Sequence, residues 1–275
     1  MTTSVDLFQS TYRNFTEPVM AAIRRETYGQ DLGQTSWITA EECDRFSRWL
    51  GLGPGRHALE VASGSGGPAL HLARKYGCQV AGVDLNESGV AAANQAALAS
   101  HIPNAYFQVA DADAGLPFEA DRFDALLCLD SLNHFRDRPA VFREWARVLK
   151  PGGRLVCTDP VVITGPISNE ELARRSAIGF FLFVPAVLTE EWLTAAGLRL
   201  VRRQDVTENA AVVAGRWHIA RQKRRAELLE IEGSERFEGL QTFFWAAHTL
   251  SRERRLSRFA FLAEKLADDG AQSGQ

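Results

Sequence analysis

Residues 58–67 read Ala58-Leu59-Glu60-Val61-Ala62-Ser63-Gly64-Ser65-Gly66-Gly67, and Pro68 follows. A short apolar run enters a glycine-rich turn, and a segment with helical spacing, Pro68–Tyr76, leaves it. Gly64 and Gly66 supply the left-handed backbone that a tight turn needs, and they let a ligand lie against bare main chain. Proline suits the first helical turn, where its missing N–H loses no hydrogen bond. Gly64-x-Gly66-x-x-Ala69 satisfies the glycine fingerprint of a nucleotide-binding strand–turn–helix, and Asp84 ends the next apolar run eighteen residues after Gly66. A carboxylate there can accept from both hydroxyls of a ribose. Taken alone, the glycines also fit a tight turn that binds nothing.

Outward from this unit the chain alternates. His57–Ala62, Gln79–Asp84, Ala105–Val109, Phe123–Leu129 and Arg154–Asp159 read as strands. Pro68–Tyr76, Ser88–His101 and Pro139–Leu149 read as the helices between them. Buried, unalternated strands separated by helices predict a parallel sheet covered on both faces. Residues 5–30 and 39–51 read as two helices, with Thr39 as an N-cap ahead of Glu41 and Glu42. Past residue 160, Ser168–Phe183 is expected to form one helix, and Thr189 to cap another that runs to Ala196. Leu198–Val206 and about Ser257–Ala263 read as the last two strands. The helical stretch between them, 207–250, is too long for a simple connection and reads as an insertion.

Composition bounds the possibilities. The chain has 275 residues, 45% of them hydrophobic and 24% charged, with a net charge of −3. That is globular composition, and it excludes a polycation that coats nucleic acid. The charge is uneven: residues 199–265 hold fourteen Arg/Lys against nine Asp/Glu. The run Arg221, Lys223, Arg224, Arg225 alternates with Glu227, Glu230 and Glu232, which fits a solvated helix face. An inward Arg216 or Arg221, meeting an acidic ligand, is the alternative. Cys43, Cys78, Cys128 and Cys157 lack metal-ligand spacing, so neither a zinc site nor a disulfide scaffold is expected. No signal pattern and no long apolar run stands out, so a soluble cytoplasmic protein without membrane or nucleic-acid partners is expected.

Further motifs follow the glycine turn in a fixed order. They are Val109-Ala110-Asp111-Ala112-Asp113, Phe123 to Asp130, and Arg147-Val148-Leu149-Lys150-Pro151-Gly152-Gly153-Arg154-Leu155. In this set, residues 57–160 resemble the class I S-adenosylmethionine-dependent methyltransferases. The resemblance implies a Rossmann-like, doubly wound α/β fold: a seven-stranded, mostly parallel sheet with an N-terminal helical lid and a C-terminal helical insertion. The implied division is a lid at 1–50, the cofactor-binding core at 51–206, a cap at 207–250, the last strand at 251–267 and a flexible tail at 268–275. It further implies that Glu60 and the backbone of Ala62, Gly64 and Gly66 face the aminoacyl end of S-adenosylmethionine. Asp84 then takes the ribose, Leu85 packs on the adenine, and Asp111 and Ala112 meet the adenine edge. Asp130 and Ser131 sit near the methyl. Two departures stand out. Ala62 occupies the usual place of the family's first glycine, and the loop from Asp111 to Phe118 is one residue longer than usual.

The flanks are similar to phosphoethanolamine and glycine/sarcosine N-methyltransferases. The similarity lies in Tyr28 to Ser36, in the Asp130-Ser131-Leu132-Asn133-His134 spacing, and in the tail after Asp205. It implies lid and cofactor roles for Tyr28 and Gln34, and a small-molecule acceptor methylated on nitrogen or oxygen in preference to carbon. His134 is the candidate base, with Asp130 as its orienter; a hydrogen-bonded loop histidine is the plain alternative. His218 is the second candidate. Tyr12, Trp37, Phe180, Phe183 and Arg216 are candidates for the acceptor pocket. Phe181, Trp192, Phe243, Phe244 and Trp245 are possible walls, although aromatics at helical spacing also fit a core. Two alternatives stay open: an NAD-dependent oxidoreductase, disfavoured by a carboxylate at Glu60 beside a pyrophosphate, and a cofactor-binding protein without transfer activity. A monomer or homodimer is expected.

Overall fold

The computed structural model describes Tyr12 and residues 14–267. The rest of the expected first helix and the tail 268–275 lie outside those residues. The helices are α1 (Pro18–Tyr28), α2 (Ala40–Leu50), α3 (Gly67–Tyr76), α4 (Glu87–Ala99), α5 (Arg138–Val148), α6 (Asn169–Arg175), α7 (Ala186–Ala195), α8 (Thr207–Lys223), α9 (Arg225–Glu232) and α10 (Ser234–Arg252). The strands are β1 (His57–Val61), β2 (Gln79–Asp84), β3 (Ala105–Val109), β4 (Phe123–Cys128), β5 (Leu149–Ile163), β6 (Leu198–Asp205) and β7 (Leu256–Lys265). They form one seven-stranded sheet in the order β3-β2-β1-β4-β5-β7-β6. β1 to β5 pair in parallel, and β7 runs antiparallel to both β5 and β6.

Strand direction reverses its walk across the sheet between β1 and β4. In doubly wound sheets ligands enter the crevice at that point, beyond the carboxyl ends of the strands. The fold follows from the alternation: Ala58 and Val80 face one core with Phe46, Leu72 and Ala93. Their neighbours Leu59, Val61 and Val83 face the opposite core with Phe142, Trp145 and Leu193. A third core, around Ile23, Trp217, Phe237 and Phe243, belongs to the helices α1 and α8 to α10. These helices lie over the carboxyl-end side of β4 and β5, where Trp37 joins their core.

Four local expectations change. The helix expected over 5–30 is interrupted by a turn at Asn14–Thr16, and α1 starts at Pro18. Glu17 is extended, as the residue before a proline tends to be. The helix expected over Ser168–Phe183 ends at Arg175. Beyond it the main chain bonds outward: Leu182 N donates to Asn133 O at 2.8 Å, and Arg138 Nη2 donates to Leu182 O at 2.7 Å. Those tertiary bonds replace the helical ladder. Thr189 is not a cap but a buried residue inside α7, which begins after Pro185. The strand expected over Arg154–Asp159 runs from Leu149 to Ile163, with a bulged start, because Phe123 pairs with Leu149 while Ala125 pairs with Arg154.

Ala62, Gly64 and Gly66 all have positive φ, at 59°, 53° and 76°. The space above the two glycines is filled by protein. A Cβ on Gly64 would meet the Tyr12 hydroxyl at 2.2 Å, and one on Gly66 would meet Phe107 at 2.7 Å and Ala93 at 2.8 Å. Gly66 therefore serves the packing of α3 and α4 against β3. Gly66→Ala combines left-handed strain with overpacking, and it is expected to cost about 2–5 kcal/mol in chemical denaturation. An unchanged denaturation midpoint would show that this packing is not tight.

Candidate active site

Asp84, at the carboxyl end of β2, organises the glycine turn. Its Oδ2 accepts from Gly64 N and its Oδ1 from Asn86 N, both at 2.8 Å. Burial nonetheless raises the Asp84 carboxyl above its ordinary range, against those two hydrogen bonds. Glu60, inside β1, sends Oε2 to Ala69 N in the first turn of α3 at 3.0 Å. Burial pushes Glu60 up to about 8; the Ala69 N–H opposes the shift and the Asp84 charge adds to it. Beyond these two groups opens an outer cavity of about 730 Å³. Its wall runs from Tyr12 and Gln34 past Glu60, Ala62 and Asp84 to Leu85, Asp111 and Ala112, and ends at Ser131 and His134.

Arg258, in the middle of β7, is fully buried and holds the next layer together. Its Nε donates to Asp130 Oδ1 at 2.6 Å and its Nη2 to Asp130 Oδ2 at 3.1 Å. Nη1 donates to Glu42 Oε2 at 2.7 Å. Asp130 also accepts from Trp37 N at 2.9 Å and Thr158 Oγ1 at 2.8 Å. Asn209 Nδ2, on α8, reaches both Glu42 Oε2 at 2.7 Å and Trp37 O at 2.9 Å. The two carboxylates hold the Arg258 guanidinium charged, well above its ordinary range, although burial opposes them.

An inner cavity of about 110 Å³ adjoins the outer one. Thr35, Ser36, Asp130 and His134 line both. The inner wall is aromatic: Trp37, Phe181, Phe243 and Phe244, with Met20, Ile178 and Trp217 behind. His134 Nδ1 lies 2.9 Å from Phe180 O, so this nitrogen carries the hydrogen, and Nε2 lies 3.2 Å from Asn133 Nδ2. Burial pulls His134 down to about 4; the Phe180 carbonyl opposes this, and Arg175 and Arg138 add to it. The imidazole is therefore neutral at neutral pH. Arg175, at the end of α6, is buried against the same wall.

Several expected site residues land elsewhere. Asp130 does line the junction, but its carboxylate is taken up by Arg258, Thr158 and Trp37 and does not orient His134. Tyr28 lines neither cavity; its hydroxyl donates to Ser36 O and accepts from Trp217 Nε1. Tyr12 belongs to the outer cavity, over Gly64, and not to the acceptor side. Phe180 is 45% exposed, with its ring beside Arg136. Phe183 stacks on Phe181 without lining a cavity. Arg216 is exposed and donates to Thr27 O. Arg221 does turn inward, but Glu232 holds it bidentately at 3.0 and 2.6 Å. His218 spans α8 and α10 through Gln241 O, away from both cavities. Trp37 and Gln34 line the inner and outer cavities respectively. The Gln34 side chain braces its own loop through Leu32 N and Ile38 O.

Arg258 and Arg175 were missed by the sequence reading. Arg258 is one charged residue in the short apolar run read as the last strand, and Arg175 adjoins Arg174 in the segment read as a helix. Neither position carries a local signal of burial.

The chemistry of the outer wall tests which cofactor fits. Glu60, Asp84, Glu87, Asp111, Asp113 and Asp130 line it, and among the described residues no Lys or Arg does. A pyrophosphate would meet a wall of carboxyl groups there, which disfavours the dinucleotide reading. A nucleoside that carries an ammonium and a sulfonium suits it. Comparison with known proteins agrees. A family profile described as a methyltransferase domain matches residues 59–157. The 27-O-demethylrifamycin SV methyltransferase of Amycolatopsis mediterranei (strain S699) is 32% identical over 196 residues, 66% of this chain and 72% of that protein. The phosphoethanolamine N-methyltransferase of Triticum aestivum is 29% identical over 78% of this chain, which spans only 42% of that protein. A cyclopropane synthase of Mycobacterium tuberculosis shares the fold, with a TM-score of 0.79 and 19% identity over 94% of this chain and 97% of that one. The chain belongs to the class I S-adenosylmethionine-dependent methyltransferases of the small-molecule type, and S-adenosylmethionine is its cofactor. Among the described residues no helix is long and apolar enough to cross a membrane.

Arg258→Met leaves the Asp130 and Glu42 carboxylates buried without their cation. Urea denaturation is expected to show a loss of about 3–5 kcal/mol, the scale for breaking a buried pair from one side. A loss below about 1 kcal/mol would mean that the network contributes little.

Proposed function

We propose that this chain methylates a compact small molecule through an oxygen or nitrogen that carries a proton, with His134 as the base. The carrying observation is the junction of the two cavities at Thr35, Ser36, Asp130 and His134. There a neutral imidazole faces the place where cofactor and acceptor meet. Bound S-adenosylmethionine supplies a methyl group on a sulfonium, already a good leaving group.

The residues of this chain then have separate tasks. Glu60 and the Ala62–Gly66 backbone receive the aminoacyl end, and the lone pairs that Asp84 keeps beside its two N–H partners receive the ribose hydroxyls. Leu85 is 68% exposed in the cavity wall, an apolar surface on which an adenine can pack. Asp111 and Ala112 meet the base edge, and Ser131 stands near the methyl. The rings of Trp37, Phe181 and Phe243 exclude water from the inner cavity and hold the nucleophile in line. The N-terminal segment with α1 acts as a lid, and α8 to α10 act as a cap over the acceptor.

His134 receives the acceptor's proton at Nε2, which requires the Asn133 Nδ2–H that this nitrogen accepts to swing away, while its Nδ1–H stays on Phe180 O. A group with a pKa of about 4 is a weak base. An oxygen that is gaining a methyl becomes strongly acidic, so proton transfer late in the step needs no stronger base; an amine nitrogen attacks through its own lone pair, and the ammonium it forms gives up its proton to solvent after the transfer. The family's acceptors include both atom types, to judge from the names of the rifamycin and phosphoethanolamine enzymes. The four cysteines are free and buried, which fits a reducing cytoplasm. The net charge of −3 favours a small-molecule partner over nucleic acid, with the protein acting as a monomer or homodimer.

His134→Gln is expected to lower kcat by roughly 10²–10⁴-fold, measured as S-adenosylhomocysteine formation, with the affinity for S-adenosylhomocysteine unchanged. In the wild type, kcat should stay flat from pH 8 to 5 and fall only towards pH 4, where His134 protonates. Full activity in His134→Gln would remove the base. A second expectation concerns Glu60, which is mostly protonated at neutral pH without ligand. An ammonium beside it lowers its pKa, so binding releases a proton and tightens as pH rises towards about 8. Calorimetry in buffers of different ionisation enthalpy should detect that proton, and Glu60→Gln should abolish its release.

A further inference from the structure

Arg175 is a buried cation with no carboxylate in direct contact; Asp130 and Asp159, each already bonded to another arginine, act on it only through space. It is 3% exposed, and among the described residues it makes no ion pair. The four other buried arginines are all matched: Arg24 with Asp31, Arg138 with Asp159, Arg221 with Glu232, and Arg258 with Asp130 and Glu42. Arg175 instead lies over three rings, with Cζ 5.6 Å from the Trp37 centroid, 5.0 Å from Phe181 and 4.7 Å from Phe243. Its Nη1 has no hydrogen-bond partner. A buried, unmatched guanidinium is costly, and cation–π contacts offset only part of that cost.

The same inner cavity holds a second unmatched atom. Asn133 is fully buried, lines the cavity, and leaves Oδ1 without a partner. The other charged groups of the lining are already paired, Glu232 with Arg221 and Asp130 with Arg258, so among the described residues the lining's unpaired groups are one cation and one hydrogen-bond acceptor. The free volume of about 110 Å³ holds roughly ten non-hydrogen atoms, at about 10–15 Å³ for each water-sized position.

We infer that the acceptor is a compact organic anion, a carboxylate or a phosphate monoester, whose charge pairs with Arg175 while a donor group on the same molecule meets Asn133 Oδ1. This deepens the proposed methyl transfer and rests on it for the identity of the ligand as acceptor. The three rings pack around the guanidinium and restrict its motion, so a carboxylate or phosphate can meet its planar fork bidentately at reduced entropic cost.

The test uses matched anionic and neutral probes: glycolate and glycolamide, salicylate and salicylamide, with ethylene glycol monophosphate and phenyl phosphate as the phosphate arm. Wild type, Arg175→Met and Arg175→Lys, each saturated with S-adenosylhomocysteine, are titrated by calorimetry. Turnover of the same probes is followed in parallel with S-adenosylmethionine. In the wild type at least one anion should bind on the order of 10- to 100-fold more tightly than its neutral partner, and Arg175→Met should erase that preference. The carboxylate and phosphate arms show which anion is preferred. Arg175→Met should keep its Tm and its affinity for S-adenosylhomocysteine, because no ion pair is lost and Arg175 does not line the outer cavity. Should Arg175→Met fold poorly, Arg175→Lys, which keeps the charge but not the fork, should show a weakened preference. Neutral probes that bind as well as the anions, or an anion preference that survives in Arg175→Met, would overturn the inference. Anion binding that depends on Arg175, with no methyl transfer from any probe, leaves the anion site standing and counts against methyl transfer. Transfer without anion preference does the reverse.

Discussion

Arg258 between Asp130 and Glu42 is the interaction on which the rest of this structure depends. It joins four parts of the chain that are far apart in sequence. Asp130 follows β4, Glu42 lies on α2, Arg258 lies on β7, and Thr207 and Asn209 open α8; Arg258 N donates to Thr207 Oγ1 at 2.9 Å. Such a cluster offers little net stability over an apolar core of the same size. It is specific, however, because leaving out any member strands a buried charge. The position of Trp37 follows from it, since Asp130 holds the Trp37 N–H and Asn209 holds the Trp37 carbonyl. Trp37 is in turn a wall of the inner cavity. The shape of the inner cavity is thus set by a network whose Asp130 lies in the cavity wall, while Arg258 and Glu42 stay behind it.

The basic excess of residues 199–265 has its explanation in the same pairing. Arg199 meets Glu264 and Arg203 meets Glu190, while Lys223 and Arg224 meet Glu26 of α1, and Arg254 meets Asp205. Arg221 and Arg258 are buried against Glu232 and against Asp130 with Glu42. Much of this charge bridges the helical cap to the N-terminal helix and the sheet. Exposed pairs of this kind contribute little each. Against that background an unmatched Arg175 is conspicuous, because the protein answers its other buried arginines with carboxylates.

The sheet was legible because its signals are local. Apolar runs of strand length, separated by helices that open on Pro68 or on Glu41 and Glu42, leave few arrangements once a glycine turn and Asp84 are placed. The outer cavity was legible for the same reason: Glu60, Ala62, Asp84, Leu85, Asp111, Ala112 and Ser131 sit at strand ends, and strand ends converge in this fold. The inner cavity was not. Phe180, Phe183 and Arg216 looked like pocket residues from their types. Around Phe180 and Phe183 the main chain is placed by Leu182, whose N–H donates to Asn133 O and whose carbonyl accepts from Arg138, and the Arg216 side chain donates to Thr27 O. Ser168–Phe183 failed as a helix for the same cause.

The sequence alone determined the fold class, the strand order of chemistry along the chain, and a nucleoside-binding turn. Each of these follows from spacing within some thirty residues, where periodicity and turn chemistry act. Only the tertiary structure decided which charges are matched. Arg258 and Arg175 are the same residue type in unremarkable local contexts, yet one is enclosed by two carboxylates and the other by three aromatic rings. Burial and partner choice are long-range properties, set when α1, the sheet and helices α8 to α10 pack on one another, and no local pattern encodes them.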